Sequence, residues 1–342
     1  MKEVWLITGA CGFVASHFID LLLEKGCEVH ATYRWTEDFT NIKHVKDKIH
    51  LHPMDLNDLS SCIKVIDKVR PEFISHLAAQ SFVSDSYTYP LETMRTNGLG
   101  TANLLEAIRI VRDISQREKD GAGRVSNPSK DYDPMVHICS SSEVYGLVGP
   151  QDIPIKETTR FNPSNPYAVG KVMADMVALM YWTNYKIKTI RTRMFTHTSG
   201  RRVMMSAENY YAKYIAEIEA GKREPFIPLG NMSSIRTWAD ARDACRAYYE
   251  LLHKCQPGEV YNIGGSTTKS IQEVLDYLLS ISTLDKSKIK MEVDPKLLRP
   301  YDVTLQIPDC SKFKNETGWE PIYSFEDTMQ HLLNGWRERV KQ

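Results

Sequence analysis

No run of about 18 apolar residues, the minimum for a membrane-spanning helix, occurs in the 342-residue chain. There is no charge imbalance either: 43 Lys and Arg stand against 43 Asp and Glu. Bulk charge therefore offers no general attraction to nucleic acid or to an anionic membrane. The seven cysteines, at positions 11, 27, 62, 139, 245, 255 and 310, form no C-x-x-C pair. That spacing argues against a disulfide framework and a zinc site, and it fits reduced thiols. The N-terminal residues lack a basic stretch followed by a cleavage site, so no secretory leader is expected. Internal repeats and low-complexity segments are absent. A cytoplasmic protein with no metal, no nucleic acid partner and no membrane partner is the expectation.

What is present is an alternation of short apolar runs with amphipathic stretches. "EVWLITG", "CEVHATYR", "EFISHLAA", "MVHICSSSEVYG" and "KIKTIRTRMF" read as strands. "SHFIDLLLEKG", "SSCIKVIDKVRP", "YPLETMRTNGLGTANLLEAIRIVRDI" and the stretch opening with "SNPYAVGK" read as helices between them. Strand–helix alternation predicts βαβ units and a doubly wound parallel sheet of the nucleotide-binding kind, an α/β fold. Residues 115–134 are polar, carry Gly and Pro and lack periodicity, which predicts an inserted loop. Past residue 197 the pattern is irregular, with helices expected near 205–221, 240–254, 270–281 and 324–340. The expected division is a dinucleotide-binding part over 1–195 and a smaller α/β substrate-binding part over 196–342, interleaved with the first.

"LITGACGFVASHF" holds Gly9, Gly12 and Ala15 at G-x-x-G-x-x-A spacing between a strand and a helix. The two glycines permit the turn and the approach of a pyrophosphate to backbone N–H groups at the helix start. The third small position serves helix–strand packing, which one methyl leaves intact. Thr8, Gly9, Cys11, Gly12, Phe13 and Val14 are thus the candidate phosphate cradle; the alternative is a tight turn with no ligand. The second strand ends at Arg34 with no acidic residue beside it, which favours the 2′-phosphate of NADP over NAD; a solvated arginine is the other reading. Asp55 and Leu56 of "MDLND", and Leu77, Ala78 and Ala79 of "HLAAQS", are strand-end residues placed to meet a dinucleotide.

Tyr167 and Lys171 of "YAVGK" are four apart and share a helix face. A neighbouring ammonium lowers a phenol pKa from about 10. A tyrosinate can then take a hydroxyl proton while hydride leaves the same carbon. The serines of "SSSEVYG", at a strand end, can hold the substrate oxygen. Y-x-x-x-K is weak by itself and gains weight from the glycine loop and serine cluster that precede it.

With these residues in view, the chain resembles extended short-chain dehydrogenases/reductases acting on nucleotide sugars. Within them it is most similar to GDP-mannose 4,6-dehydratases and GDP-4-keto-6-deoxymannose reductases. The similarity runs through "TGACGF", "HLAAQSFV", "SSSEVYGLV", "ETTRFNPSNPYAVGK", "LGNMSSIRTW", "VYNIGG" and the stretch "LLRPYDV" to "TGWEP". The resemblance implies Ser141 as the Ser of the oxidoreductase set, with Ser142 after it, Glu143 as the base at C5, and Tyr167 with Lys171 as the redox pair. It implies that Ser81, Glu143, Thr196, Arg202, Arg236 and Arg299 bind a GDP-linked sugar, with Arg193 and Arg201 in the same region. A homodimer or homotetramer through the Tyr-bearing helix is implied as well; the apolar "VMADMVALMYW" after Lys171 is either that interface or internal core.

The sequence departs from the family at Ala15, at Trp35 in place of a second arginine, at Thr196 in place of Asn, and at Thr237 in place of Asp. Thr196 leaves the sugar open between mannose and a heptose. Three activities follow from the resemblance. A 4,6-dehydratase working by C4 oxidation, loss of water across C5 and C6, and reduction at C6 comes first. A GDP-4-keto-sugar reductase or C4 dehydrogenase is the alternative, with a C4 epimerase behind it. Glu143 as a structural carboxylate would favour the second, and a non-catalytic dinucleotide-sensing protein stands against the intact Ser141, Tyr167 and Lys171.

Overall fold

The computed structural model describes residues 2–119, 132–202, 206–298 and 303–341. The chain forms two compact units. The first comprises Met1–Val144, Asn165–Arg193 and Cys245–Tyr261, and the second Tyr145–Ser164, Met194–Ala244 and Asn262–Gln342.

The first unit is built on a parallel sheet. Its strands are β1 (Val4–Thr8), β2 (Glu28–Tyr33), β3 (His50–Pro53), β4 (Phe73–His76), β5 (Met135–Cys139), β6 (Thr189–Met194) and a last strand, Val260–Ile263. From that last strand the order is β6, β5, β4, β1, β2, β3, and the register of β1 to β6 is parallel throughout. Leu6, Ile7, Ile74, Val136, Ile138 and Ile190 are fully buried, because helices cover both faces of a parallel sheet. The helices are α1 (Phe13–Glu24), α2 (Leu59–Val69), α3 (Val83–Thr88), α4 (Pro90–Met94), α5 (Gly100–Lys119) and α6 (Pro166–Tyr185).

Two features differ from the sequence expectation. "HLHP" forms β3, which the alternation of apolar runs does not show. The helix expected over 89–114 is interrupted by a π-helical turn, Arg95–Leu99. Asn97 explains the interruption: its amide accepts from Gln80 N–H at 2.8 Å and donates to Gln80 C=O at 2.9 Å. Beside it, a Cβ on Gly98 would lie 2.6 Å from Met173 Cε, so the turn runs hard against α6. Of the expected insert, residues 120–131 lie outside the described residues, and α5 continues to Lys119.

The second unit centres on the strand Ile235–Asp240. Thr267–Ser270 pairs with it antiparallel, and Leu305–Gln306 and His197–Thr198 pair with it parallel. Phe226–Leu229 and Lys290–Val293 make a separate pair. The helices Ala207–Glu219, Ile271–Ser280 and Phe325–Lys341 enclose a core containing Ile215, Trp238, Leu275, Leu278, Met329 and Leu332. These three helices and Ala241–Lys254 match the expected positions closely.

Candidate active site

At the glycine loop the chain leaves β1 through Gly9, whose φ of +76° is a left-handed conformation. A Cβ there would stand 2.9 Å from Ala78 Cα, so the loop needs glycine for space as well as for conformation. Gly12 N–H bonds to Gly9 C=O at 2.9 Å and Gly12 caps α1 with no side chain. The helix start thus offers backbone N–H groups and the positive dipole end, a combination suited to a phosphate. Phe13 and Val14 open the helix, and Ala15 is buried at the packing position.

Thr8 ties this loop to the end of β4. Its Oγ accepts from Leu77 and Ala78 N–H, each at 3.0 Å, and lies 2.9 Å from His76 Nδ1. With both lone pairs of the hydroxyl occupied, its O–H donates to Nδ1, so the ring proton of His76 sits on Nε2. Nε2 then donates to Thr101 Oγ at 3.1 Å, and Thr101 donates to Asn97 C=O at 2.7 Å. Burial pushes the His76 pKa down to about 3, so the chain of bonds holds a neutral ring.

The remaining candidate cofactor residues sit in three places. Cys11 C=O accepts from Asn41 Nδ2 at 3.0 Å, linking the glycine loop to the segment after β2. Arg34 is largely exposed at the end of β2 and pairs with Glu37 at 3.2 Å. Asp55 Oδ1 accepts Asn57 N–H at 2.9 Å, and Leu56 C=O accepts from Asn103 Nδ2 at 2.8 Å. Ala79 is half-buried after β4, whereas Ser81 is exposed.

Ser141 and Ser142 follow β5 and are buried; Ser142–Tyr145 forms a 3-10 turn. Glu143 N–H donates to Ser141 Oγ at 3.2 Å. The helix α6 starts at Pro166, whose fixed φ suits a first helical position. Asn165 caps it, accepting Ala168 N–H at 2.8 Å through Oδ1, and its Nδ2 donates to Glu143 Oε2 at 3.1 Å. Tyr167 and Lys171 lie one turn apart on this helix, with Lys171 Nζ 5.9 Å from the Tyr167 ring centroid. Lys171 is buried and donates to Cys139 C=O at 2.7 Å, which pins the helix to the end of β5. Burial holds the Lys171 ammonium below its ordinary pKa. Ser141, Glu143, Tyr167 and Lys171 thus belong to one unit and two adjoining elements.

The other candidates belong to the second unit, except Arg193. Arg193 lies in the first, with its guanidinium buried on Asp175 at 2.9 Å. Thr196 Oγ donates to Gln306 Oε1 at 3.5 Å. Arg202 donates to His197 C=O at 2.9 Å and lies 3.5 Å from the Glu208 carboxylate. Arg201 N–H donates to Ser199 Oγ at 3.1 Å, and Arg236 donates to Val303 C=O at 3.0 Å. Arg299 lies outside the described residues. Two residues that motif reasoning passes over belong to this description: Asn165, whose signal is an Asn-Pro helix start, and Asn41, which carries no local signal.

A parallel sheet in this order, a glycine turn into α1, and a strand-end serine beside a Tyr-x-x-x-Lys helix define a short-chain dehydrogenase/reductase scaffold. The GDP-mannose 4,6 dehydratase family model matches residues 6–332, and the chain belongs to that family. A GDP-mannose 4,6-dehydratase of Yersinia enterocolitica is 31% identical, over 100% of this chain and 95% of the relative. Among solved structures, RMD from Pseudomonas aeruginosa complexed with NADPH superimposes with a TM-score of 0.79 at 23% identity, covering 98% of this chain and 100% of that one. A dTDP-glucose 4,6-dehydratase from Bacillus anthracis in complex with NAD gives 0.79 at 24% identity, covering 99% of this chain and 98% of that one.

Proposed function

We propose that the protein is a GDP-mannose 4,6-dehydratase, or the equivalent enzyme for a GDP-heptose, that ends each turnover with its nicotinamide cofactor in the starting state. The observation that carries this reading is the Asn165–Glu143 hydrogen bond. It holds a carboxylate next to the serine turn and at the mouth of the Tyr167 helix. Removal of a C5 proton needs a base besides the tyrosine, and Glu143 is the carboxylate held in that turn.

The glycine loop fits a dinucleotide: Gly9 has no room for a Cβ, and the uncapped start of α1 follows it. Thr8, Gly9, Cys11, Gly12, Phe13 and Val14 would hold the pyrophosphate, and Asp55, Leu56, Leu77, Ala78 and Ala79 the adenosine side and the ring. Arg34 supports NADP, since its guanidinium is exposed where a 2′-phosphate would pair with it. A bound nicotinamide supplies the electron acceptor for oxidation at C4 and the donor for reduction at C6.

The chain's own groups move the protons. Tyr167, as phenolate beside the Lys171 ammonium, accepts the O4 proton as the C4 ketone forms. Ser141 donates a hydrogen bond to that oxygen. The ketone acidifies C5–H, and Glu143 takes the C5 proton while the C6 hydroxyl leaves as water. The proton that Tyr167 took from O4 balances the hydroxide that leaves C6 as water, and Glu143 returns its proton to C5 as C6 is reduced, so the C4 ketone remains in the product. Ser81, Thr196, Arg202, Arg236 and Arg299 are assigned to the GDP-sugar, the arginines because a guanidinium fork matches a diphosphate. A homodimer or homotetramer is part of the reading, supported by exposed Leu99, Met176, Met180 and Tyr185. A cytoplasmic setting rests on the seven cysteines, none of which forms a disulfide among the described residues.

The test is to incubate the purified protein with GDP-mannose and, separately, a GDP-heptose, with no added reductant, and to record product mass and cofactor state. Loss of one water with no net cofactor change is expected. Loss of two hydrogens with stoichiometric reduced cofactor would replace this reading by a C4 dehydrogenase. Glu143→Gln is expected to stop water loss while still allowing cofactor reduction.

A further inference from the structure

The edge of the first unit carries a cluster that the chemistry above does not use. Side chains on a strand alternate between faces, so Glu28 and His30 of β2 share one face, and His50 and His52 of β3 share one face. The parallel register sets His30 opposite His50 and Thr32 opposite His52, which brings all four to the same side of the sheet. The His30 and His50 rings stack with centroids 4.6 Å apart. His30 Nε2 is 3.0 Å from Glu28 Oε1, and His30 Nδ1 is 2.9 Å from His52 Nε2. One ligand-type atom from each of Glu28, His30 and His50 lies within 4.8 Å of the other two.

We propose that Glu28, His30 and His50 form a binding site for a divalent transition cation of the zinc class, with His52 orienting His30 from behind. Two imidazoles and a carboxylate suit zinc, nickel or copper, and leave a fourth position for water. Zinc–nitrogen bonds of about 2.0–2.1 Å put tetrahedral ligand atoms about 3.4 Å apart. Closing from the present spacing needs only side-chain rotation of His50 and Glu28, which both stand at solvent. The His50 ring makes no side-chain hydrogen bond among the described residues and only stacks on His30, so its nitrogens are available. The bond of His30 Nδ1 to His52 is the outer hydrogen bond that a metal-bound imidazole needs to fix its tautomer. It leaves His30 Nε2 for the cation in exchange for the contact with Glu28.

Access is direct, since Glu28 and His50 line a surface cleft of about 350 Å³ together with Lys2 and Lys48. The two ammonium groups oppose a cation and weaken the expected binding. The consequence of binding is mechanical. β3 is the outer strand of the sheet, and a cation shared with β2 would clip it in place, stabilising the folded state by mass action.

The test uses the full chain stripped with a chelator and titrated with zinc chloride by calorimetry, with cobalt(II) as a spectroscopic probe. One zinc per chain is expected, together with visible cobalt bands of four-coordinate N/O ligation and no thiolate charge-transfer band. His50→Ala and Glu28→Gln should each weaken binding at least tenfold with unchanged circular dichroism. Absence of saturable binding, a cobalt–thiolate band, or unchanged affinity in His50→Ala would each overturn the proposal.

Discussion

Asn165 donates from Nδ2 to Glu143 Oε2 at 3.1 Å while its Oδ1 caps the helix that carries Tyr167 and Lys171. One amide thus joins the proposed base to the helix of the proposed redox pair. The two halves of that amide can be separated by substitution. Asn165→Ala removes both and should cost about 1 kcal/mol of stability for the lost cap. It should also lower kcat about tenfold or more, with a smaller change in KM. Asn165→Asp keeps an acceptor for Ala168 N–H, so stability is retained. It replaces the hydrogen bond to Glu143 with a second carboxylate, so water loss should slow while cofactor reduction continues, a split that a purely structural role for Asn165 would not produce.

Gly9 is the tightest point of the cofactor loop. Gly9→Ala demands a φ of +76° from a residue with a Cβ and drives that atom to 2.9 Å from Ala78 Cα. Backbone strain of this kind costs about 1–3 kcal/mol. Urea unfolding should show a loss in that range, and calorimetric titration should show NADP(H) binding weakened at least tenfold. A variant with wild-type affinity would mean that the loop does not hold the pyrophosphate.

Arg34 and Glu37 offer a balanced pair of substitutions. Arg34→Ala should weaken NADPH binding about tenfold, the worth of one charge-assisted contact, and leave NADH binding unchanged. Glu37→Gln frees the guanidinium from its 3.2 Å partner and should tighten NADPH relative to NADH. Equal effects on both cofactors would remove Arg34 from the 2′-phosphate.

Among the buried histidines of the sheet, His76 and His137 are held neutral by burial and by hydrogen-bonded partners. Burial pushes the pKa of both His76 and His137 down to about 3. His137 is bonded to Ser75 and Thr192, at 2.8 Å each. An unfolded histidine titrates near 6.5, so between those values the unfolded chain binds protons that the folded chain does not. Stability therefore rises with pH in that window and falls as pH drops from about 6.5 toward 3. Each ring contributes about 1.4 kcal/mol per pH unit. Urea midpoints measured from pH 7 down to pH 5 should decline on this account, and His137→Gln should flatten the decline.

The parts of this structure that sequence made legible are those whose chemistry is local. G-x-x-G-x-x-A is a turn and a helix start within a few residues, and Tyr167 and Lys171 meet because four residues make about one turn. Contacts that need the third dimension were not visible. Asn165 goes unread in the motif, and its bond to Glu143 exists only once β5 lies beside α6. The break at Arg95–Leu99 comes from Asn97 reaching Gln80, seventeen residues away, inside a stretch with good helical periodicity. β3 has no alternating apolar pattern because two of its four residues are histidines. Those same histidines make the cation cluster, whose ligands lie on two strands and so match no linear metal motif. Two strands of the second unit, His197–Thr198 and Leu305–Gln306, are only two residues long, too short for periodicity to register.

The most direct test of the central claim is the fate of the C4 hydrogen. GDP-mannose deuterated at C4 would be converted by the enzyme without added reductant, and the product examined by NMR and mass spectrometry. The account predicts a 4-keto-6-deoxy product with deuterium at C6 and cofactor unchanged in oxidation state. A product that keeps its C6 hydroxyl, with the deuterium found on released cofactor, would contradict it.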